Sequence, residues 1–74
     1  MLFDFRKRYV VVGYSPENGE IEIDLETFRA EDDVYAMRIF RNDYCTKYLL
    51  YDLTLYRITF FGIREYVTDN IYKR

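Results

Sequence analysis

The chain is punctuated firmly at one place only. Ser15-Pro16-Glu17-Asn18-Gly19 holds its single proline and one of its three glycines. Proline fixes its own φ, and Asn-Gly tolerates the positive φ of a tight reversal, so the segment reads as a hairpin loop. After it, Glu20 to Thr27 alternates, with Ile21, Ile23 and Leu25 on one side and Glu20, Glu22, Asp24 and Glu26 on the other. That period of two is the mark of a half-buried strand. Before it, Tyr9 to Tyr14 is rich in Val and reads as the first arm of the hairpin. Pairing Val11 with Ile23 and Tyr9 with Leu25 puts the odd residues of both arms on one apolar face, and sets Val10 against Asp24 and Arg8 against Glu26 on the other. The first arm is apolar on its even side as well, through Val10, Val12 and Tyr14. It is therefore expected either to lie centrally or to offer that second face to another copy, as a homodimer.

The acidic cluster Glu31, Asp32 and Asp33 precedes a helical pattern in which Ala36, Met37, Phe40 and Tyr44 share one arc. Asp32 is the expected N-cap, Asn42 and Asp43 the expected stop, and the length about three turns. Lys47 to Phe61 has strand composition, with Asp52-Leu53-Thr54 either a tight turn between two short strands, the reading preferred here, or a bulge in one long bent strand. After Gly62, the residues Ile63, Tyr66, Val67 and Ile71 recur at three- and four-residue spacing, which predicts a short C-terminal helix. The reading is ββαββα, one α+β domain over residues 1–74, with an antiparallel sheet of three to four strands and one or two packed helices. With 74 residues, such a chain buries only about 60% of the surface of its unfolded form, which excludes a two-domain enzyme.

Absent residue types narrow the chemistry. There is no His, and so no imidazole base, no Ser/His or Cys/His pair and no nitrogen ligand for zinc. Cys45 is the sole cysteine; it cannot form an intramolecular disulfide and reads as a small buried filler in a reducing, cytoplasmic setting. No signal-peptide core is present, nor the roughly 18 apolar residues of a spanning helix, so no membrane role is expected. No cofactor and no metal are expected either, since the acids before the helix are explained by its dipole.

The net charge of −2 argues against bulk nucleic acid as the main partner. Its distribution is uneven: four Lys/Arg against nine Asp/Glu from Met1 to Asp33, then seven against four from Val34 to Arg74. Arg6, Lys7 and Arg8 form one basic run, and Arg57, Arg64, Lys73 and Arg74 a second region, both interleaved with aromatic residues. Nine Tyr and eight Arg are types that dominate binding hot spots. On the helix, Tyr35 and Ile39 point away from Phe40 beside Arg38 and Asn42, which makes these four a candidate contact patch. Glu20, Glu22, Asp24 and Glu26 form an acidic stripe able to imitate phosphates toward a partner.

The reading that follows is a small intracellular, non-enzymatic binding protein that occupies a surface of another macromolecule, with a protein the expected partner. By analogy of profile alone, it is similar to phage or mobile-element inhibitors of host defence. The alternative is a module that sequesters a nucleotide or small ligand by Tyr/Arg stacking at Tyr14, Tyr56, Arg57 and Arg64.

Overall fold

The computed structural model describes residues 5–15 and 21–71. The loop residues Pro16 to Gly19, together with Glu20, Lys73 and Arg74, lie outside the described residues. The chain folds as an α+β domain. Strands β1 (Lys7–Ser15), β2 (Ile21–Ala30), β3 (Asp52–Ile58) and β4 (Arg64–Asn70) form one antiparallel sheet in the order β2-β1-β3-β4. One helix, α1, joins β2 to β3. It begins as Asp33–Ile39, passes through a π-helical turn at Phe40–Tyr44 and closes with Cys45–Lys47. The Asp32 carboxylate accepts from the Tyr35 N–H at 2.9 Å and caps it as expected.

Packing follows the sheet's pleat. Tyr9 and Val11 of β1 and Leu53 and Leu55 of β3 point toward α1 and meet Ala36 and Phe40, all fully buried. Full burial of a side chain such as Phe40 or Leu55 contributes about 1.5–3 kcal/mol. Phe28 stacks between Tyr9 and Tyr44, at 5.5 and 5.3 Å between ring centroids. Cys45 packs half-buried against the same core, and burial pushes its thiol pKa up.

Four expectations need correction. The hairpin register is not Val11 with Ile23: Gly13 pairs with Ile23 and Val12 with Asp24, and then Val11 pairs with Glu26, leaving Leu25 as the extra residue of a β-bulge. A bulge sets two residues against one and switches the side-chain parity beyond it. Past it, Phe28 and Ala30 face the helix and Arg8 lies opposite Arg29, not Glu26. Second, the segment after Gly62 is the strand β4 rather than a helix. Its apolar residues are spaced irregularly because Val67 is itself a bulge: Leu55 pairs with Thr68 and Tyr56 with Tyr66, passing over it. Third, Asp52-Leu53-Thr54 does not separate two strands but opens the single strand β3. Fourth, Asn42 and Asp43 do not stop α1. The π turn carries the chain past them, and their carbonyls accept from the Thr46 hydroxyl at 2.9 and 3.3 Å.

The second apolar face of β1 is satisfied within one chain. Val10 and Val12 are 1% and 4% exposed without any second copy. Register places Tyr56 and Tyr66 beside Val10, and Thr54 and Asp24 beside Val12, on the face away from the helix. Arg64 on the β4 edge donates two hydrogen bonds to Asp24 on the β2 edge, at 2.8 and 2.5 Å, so this pair spans both central strands. The observation that pointed to a homodimer is thereby accounted for.

Gly13 is where the bulge and the core meet. A Cβ there would lie 2.5 Å from Leu25 Cδ1, and 3.1 Å from both Leu25 Cγ and the Tyr51 ring. The residue is bare because the bulged leucine folds over it. Gly13→Ala is expected to lower stability by about 1–2 kcal/mol through overpacking, measured by urea unfolding. An unchanged midpoint would show that Leu25 moves aside freely.

Candidate functional site

Antiparallel order brings five chain segments to one end of the sheet: the start of β1, the end of β2, the end of β3, the start of β4 and the start of α1. They are fastened by Asp33. Its carboxylate accepts from the buried Tyr9 hydroxyl at 2.7 Å and from Arg57 Nη1, while Arg57 Nη2 donates to Glu65 at 3.2 Å. The Tyr9 hydroxyl first, with Arg57 adding, holds the Asp33 carboxyl below the ordinary carboxylate range. Burial above all, then the bond to Asp33, pushes the Tyr9 phenol well above its ordinary value. Arg57 is thus fixed in place while remaining charged.

Around this junction opens a cleft of about 610 Å³. Its cations are Arg6, Lys7, Arg8, Arg29 and Arg57, and among the described residues that line it there is no Asp or Glu. Arg8 and Arg29 are directly paired across β1 and β2. Arg29 Nη1 donates to the Arg6 carbonyl at 3.1 Å. The rings of Phe5 and Phe60 sit on the rim, 89% and 97% exposed.

Beside the cleft stands the β3–β4 turn. Gly62 takes a φ of +80°, which side chains rarely tolerate, and its N–H donates to the Thr59 carbonyl at 2.9 Å. Thr59 N–H in turn donates to Ile63, and the Thr59 hydroxyl accepts from the Ile63 N–H. This closed turn presents Phe60 and Phe61 edge to face at 5.4 Å, with Phe61 and Ile63 exposed as well. Val34 and Tyr35, at the start of α1, are exposed at the same end.

At the opposite end, the described lining of a second cleft contains acids and no Lys or Arg. This smaller cleft, of about 330 Å³, is lined by Tyr14, Glu22, Asp52, Thr54 and Ile71. The described linings of the two clefts therefore differ in sign, although Asp33 and Glu65 also stand at the first end, beside Arg57.

The residues singled out from sequence are distributed as follows. Tyr35 is half-exposed, and the Arg38 guanidinium lies 5.5 Å from its ring centroid; Asn42 is exposed, but Ile39 is half-buried and packs on the core. The acidic stripe is divided by the Leu25 bulge: Glu22 and Asp24 keep the face away from the helix, while Glu26 turns to the helix face and accepts from Lys47 and Tyr48 at 2.9 and 2.7 Å. Glu20 lies outside the described residues. Tyr14, Tyr56, Arg57 and Arg64 are not brought together: Tyr14 is at the acidic end, Arg57 is on the helix side beside Tyr9, and Tyr56 and Arg64 are on the opposite face. Sequence reading passed over Phe5, Arg29, Phe60, Phe61 and Ile63. The available signal was Phe60-Phe61-Gly62, two adjacent rings before a glycine, which no alternating strand can bury together.

No group of three or more His, Cys, Asp or Glu is placed to hold a metal ion among the described residues, and no helix among them is long and apolar enough to cross a membrane. No known protein family matches the chain, and neither a curated protein nor a solved structure resembles it significantly.

The junction sets the pH response. A lowered Asp33 pKa contributes stability above the ordinary carboxylate value of about 4, which is lost as pH falls through the folded value; a raised Tyr9 pKa contributes stability that is lost only as pH rises beyond about 10. Stability is expected to be flat between those limits and to fall on both sides. Asp33→Ala leaves the buried Tyr9 hydroxyl without its acceptor and should cost about 1–3 kcal/mol at neutral pH, with a shallower acid limb. Tyr9→Phe in the Asp33→Ala background should cost less than in the native chain, as read by urea unfolding in a double-mutant cycle. Additive losses would show that the pair is not coupled.

Proposed function

We propose that this protein is a non-enzymatic binding module that occupies a surface of another macromolecule, a protein partner in the first instance, through the cationic end of its sheet. The observation that carries this reading is the rigid β3–β4 turn, which holds Phe60, Phe61 and Ile63 in solvent at 97%, 84% and 63% exposure. Burying rings of this size inside a chain stabilises it, so a fold that fixes them outward forgoes that gain. A turn closed by three hydrogen bonds has little freedom left to lose on association, which favours binding through preorganisation.

Arginine and aromatic side chains are enriched at the energetic centres of interfaces, and this end combines both. Val34, Tyr35 and Arg38 extend the same end onto the helix. The partner should present an acidic surface, since five cations surround the cleft. Occupying such a surface would block whatever that surface otherwise does. Self-association is not part of this reading, because Val10 and Val12 are covered within one chain.

The test is affinity capture with cross-linking from the native host, comparing the natural chain with Phe60→Ala/Phe61→Ala. Exposed positions should leave folding within about 0.5 kcal/mol. Loss of a hot-spot pair should weaken a specific partner by about 2 kcal/mol or more, roughly thirtyfold. A partner retained equally by the variant would mean that the ring-bearing turn is not the contact.

A further inference from the structure

Of the two edge strands, β4 alone continues directly from the ring-bearing turn. Among the described residues no strand pairs with its outer side, and Arg64, Glu65 and Tyr66 are exposed. The hairpin fixes which main-chain groups point outward there. Thr59 and Ile63 close the turn with a bond from the Thr59 N–H to the Ile63 carbonyl at 2.8 Å. Bonded and non-bonded pairs alternate along an antiparallel ladder. Arg57 with Glu65 is then a bonded pair, whereas Ile58 with Arg64 and Tyr56 with Tyr66 are not. Arg64 therefore turns its N–H and carbonyl away from β3, and Tyr66 turns its N–H the same way.

Proteins blunt such an edge with charged side chains, bulges or a covering segment. The two charged side chains of this stretch are both drawn back over the sheet. Arg64 reaches Asp24 on the far edge strand, and Glu65 turns inward to Arg57. Blunting begins only afterwards, with the Val67 bulge and Asp69. The open stretch runs from Ile63 to Tyr66, whose side chains are 63% and 60% exposed, and it follows Phe60 and Phe61 directly in the chain. Outward N–H and carbonyl groups at this spacing are matched by another chain in strand form, whose alternate side chains then rest on exposed neighbours such as Ile63 and Tyr66.

We infer that the protein partner is held by strand addition: an extended segment of it pairs with the β4 edge at Arg64 to Tyr66, while Phe60 and Phe61 contact the surface beside that segment. The Val67 bulge ends regular pairing, so the added strand is short, about three or four residues. The inference rests on the reading that the ring-bearing end is the binding end, and adds to it the conformation in which the partner is bound.

The probes are peptides enriched from a random linear decamer display library on the full chain. Hydrogen exchange followed by NMR reads the edge of the natural chain without any substitution. In the free chain the Arg64 and Tyr66 amides are expected to exchange fast and the Glu65 amide slowly; an enriched peptide should slow the first two by about tenfold or more. N-methylation of the Tyr66 amide in a chemically synthesised full chain removes one outward donor and no internal bond. It should leave the urea midpoint in place and weaken the peptide by about tenfold or more. Unfolding by that single methyl group would show that the donor points inward, and would overturn the inference. So would a library that enriches nothing, peptides that leave the Arg64 and Tyr66 amides unprotected, or equal affinity for the methylated chain. Protection of the two amides that grows with protein concentration in the absence of peptide would assign the edge to a second copy and likewise overturn it. A host partner that needs Phe60 and Phe61 but ignores the methyl group would remove strand addition and leave the binding-end reading standing. A host partner that ignores Phe60→Ala/Phe61→Ala but is lost on methylation would do the reverse.

Discussion

Asp33 is the fastening on which the rest of this small fold depends. One carboxylate at the first turn of α1 holds the Tyr9 hydroxyl of the central strand β1 and the Arg57 guanidinium of β3, and Arg57 passes the link on to Glu65 of β4. Helix, both inner strands and one edge are thus joined through a single charged group. A 74-residue chain has a small core, so a satisfied polar junction at the end of that core fixes the helix direction as well as adding stability. The arrangement also holds the Arg57 guanidinium on the helix side of the sheet, between Asp33 and Glu65. Structure and candidate function therefore share one anchor.

The distribution of charge follows from topology. In an antiparallel sheet, the start of β1, the end of β2 and the end of β3 converge, which gathers Arg6, Lys7, Arg8, Arg29 and Arg57 from three separated stretches of sequence. Glu22 and Asp52 gather at the other end for the same reason. Net charge sums over both ends and conceals the division. A chain with a formal charge of −2 can still offer a cleft whose described lining holds cations and no carboxylate, but the potential that a partner meets there is set by all groups within about 10 Å, Asp33 and Glu65 beside Arg57 included.

Much of the architecture was legible in the sequence, and the losses have a common physical source. The alternation of Ile23, Asp24 and Leu25, the valines of β1 and the cap at Asp32 each reflect a local rule, and each element is present. Both large errors fall at β-bulges. Leu25 shifts the pairing of β1 with β2, and Val67 disrupts the period of β4 enough to resemble helical spacing. A bulge is a property of two strands together: the extra residue is defined by the partner it fails to face, and Gly13 opposite that stretch is what leaves room for Leu25. The π turn at Phe40–Tyr44 is the helical counterpart, one more residue per turn than the pattern assumes. The candidate site was hidden by the same limitation. Arg29 lies beyond the alternating stretch Glu20 to Thr27, and only the observed register sets it against Arg8.

The central claim is that partners are held at the ring-bearing cationic end and not at the acidic one. Site-specific photo-cross-linking tests it most directly, with benzoylphenylalanine in place of Phe61 at one end or of Leu50 at the other, both positions being more than four-fifths exposed. Irradiation in the native host should yield a discrete covalent adduct from position 61 and none from position 50. An adduct formed from position 50 alone would contradict the account.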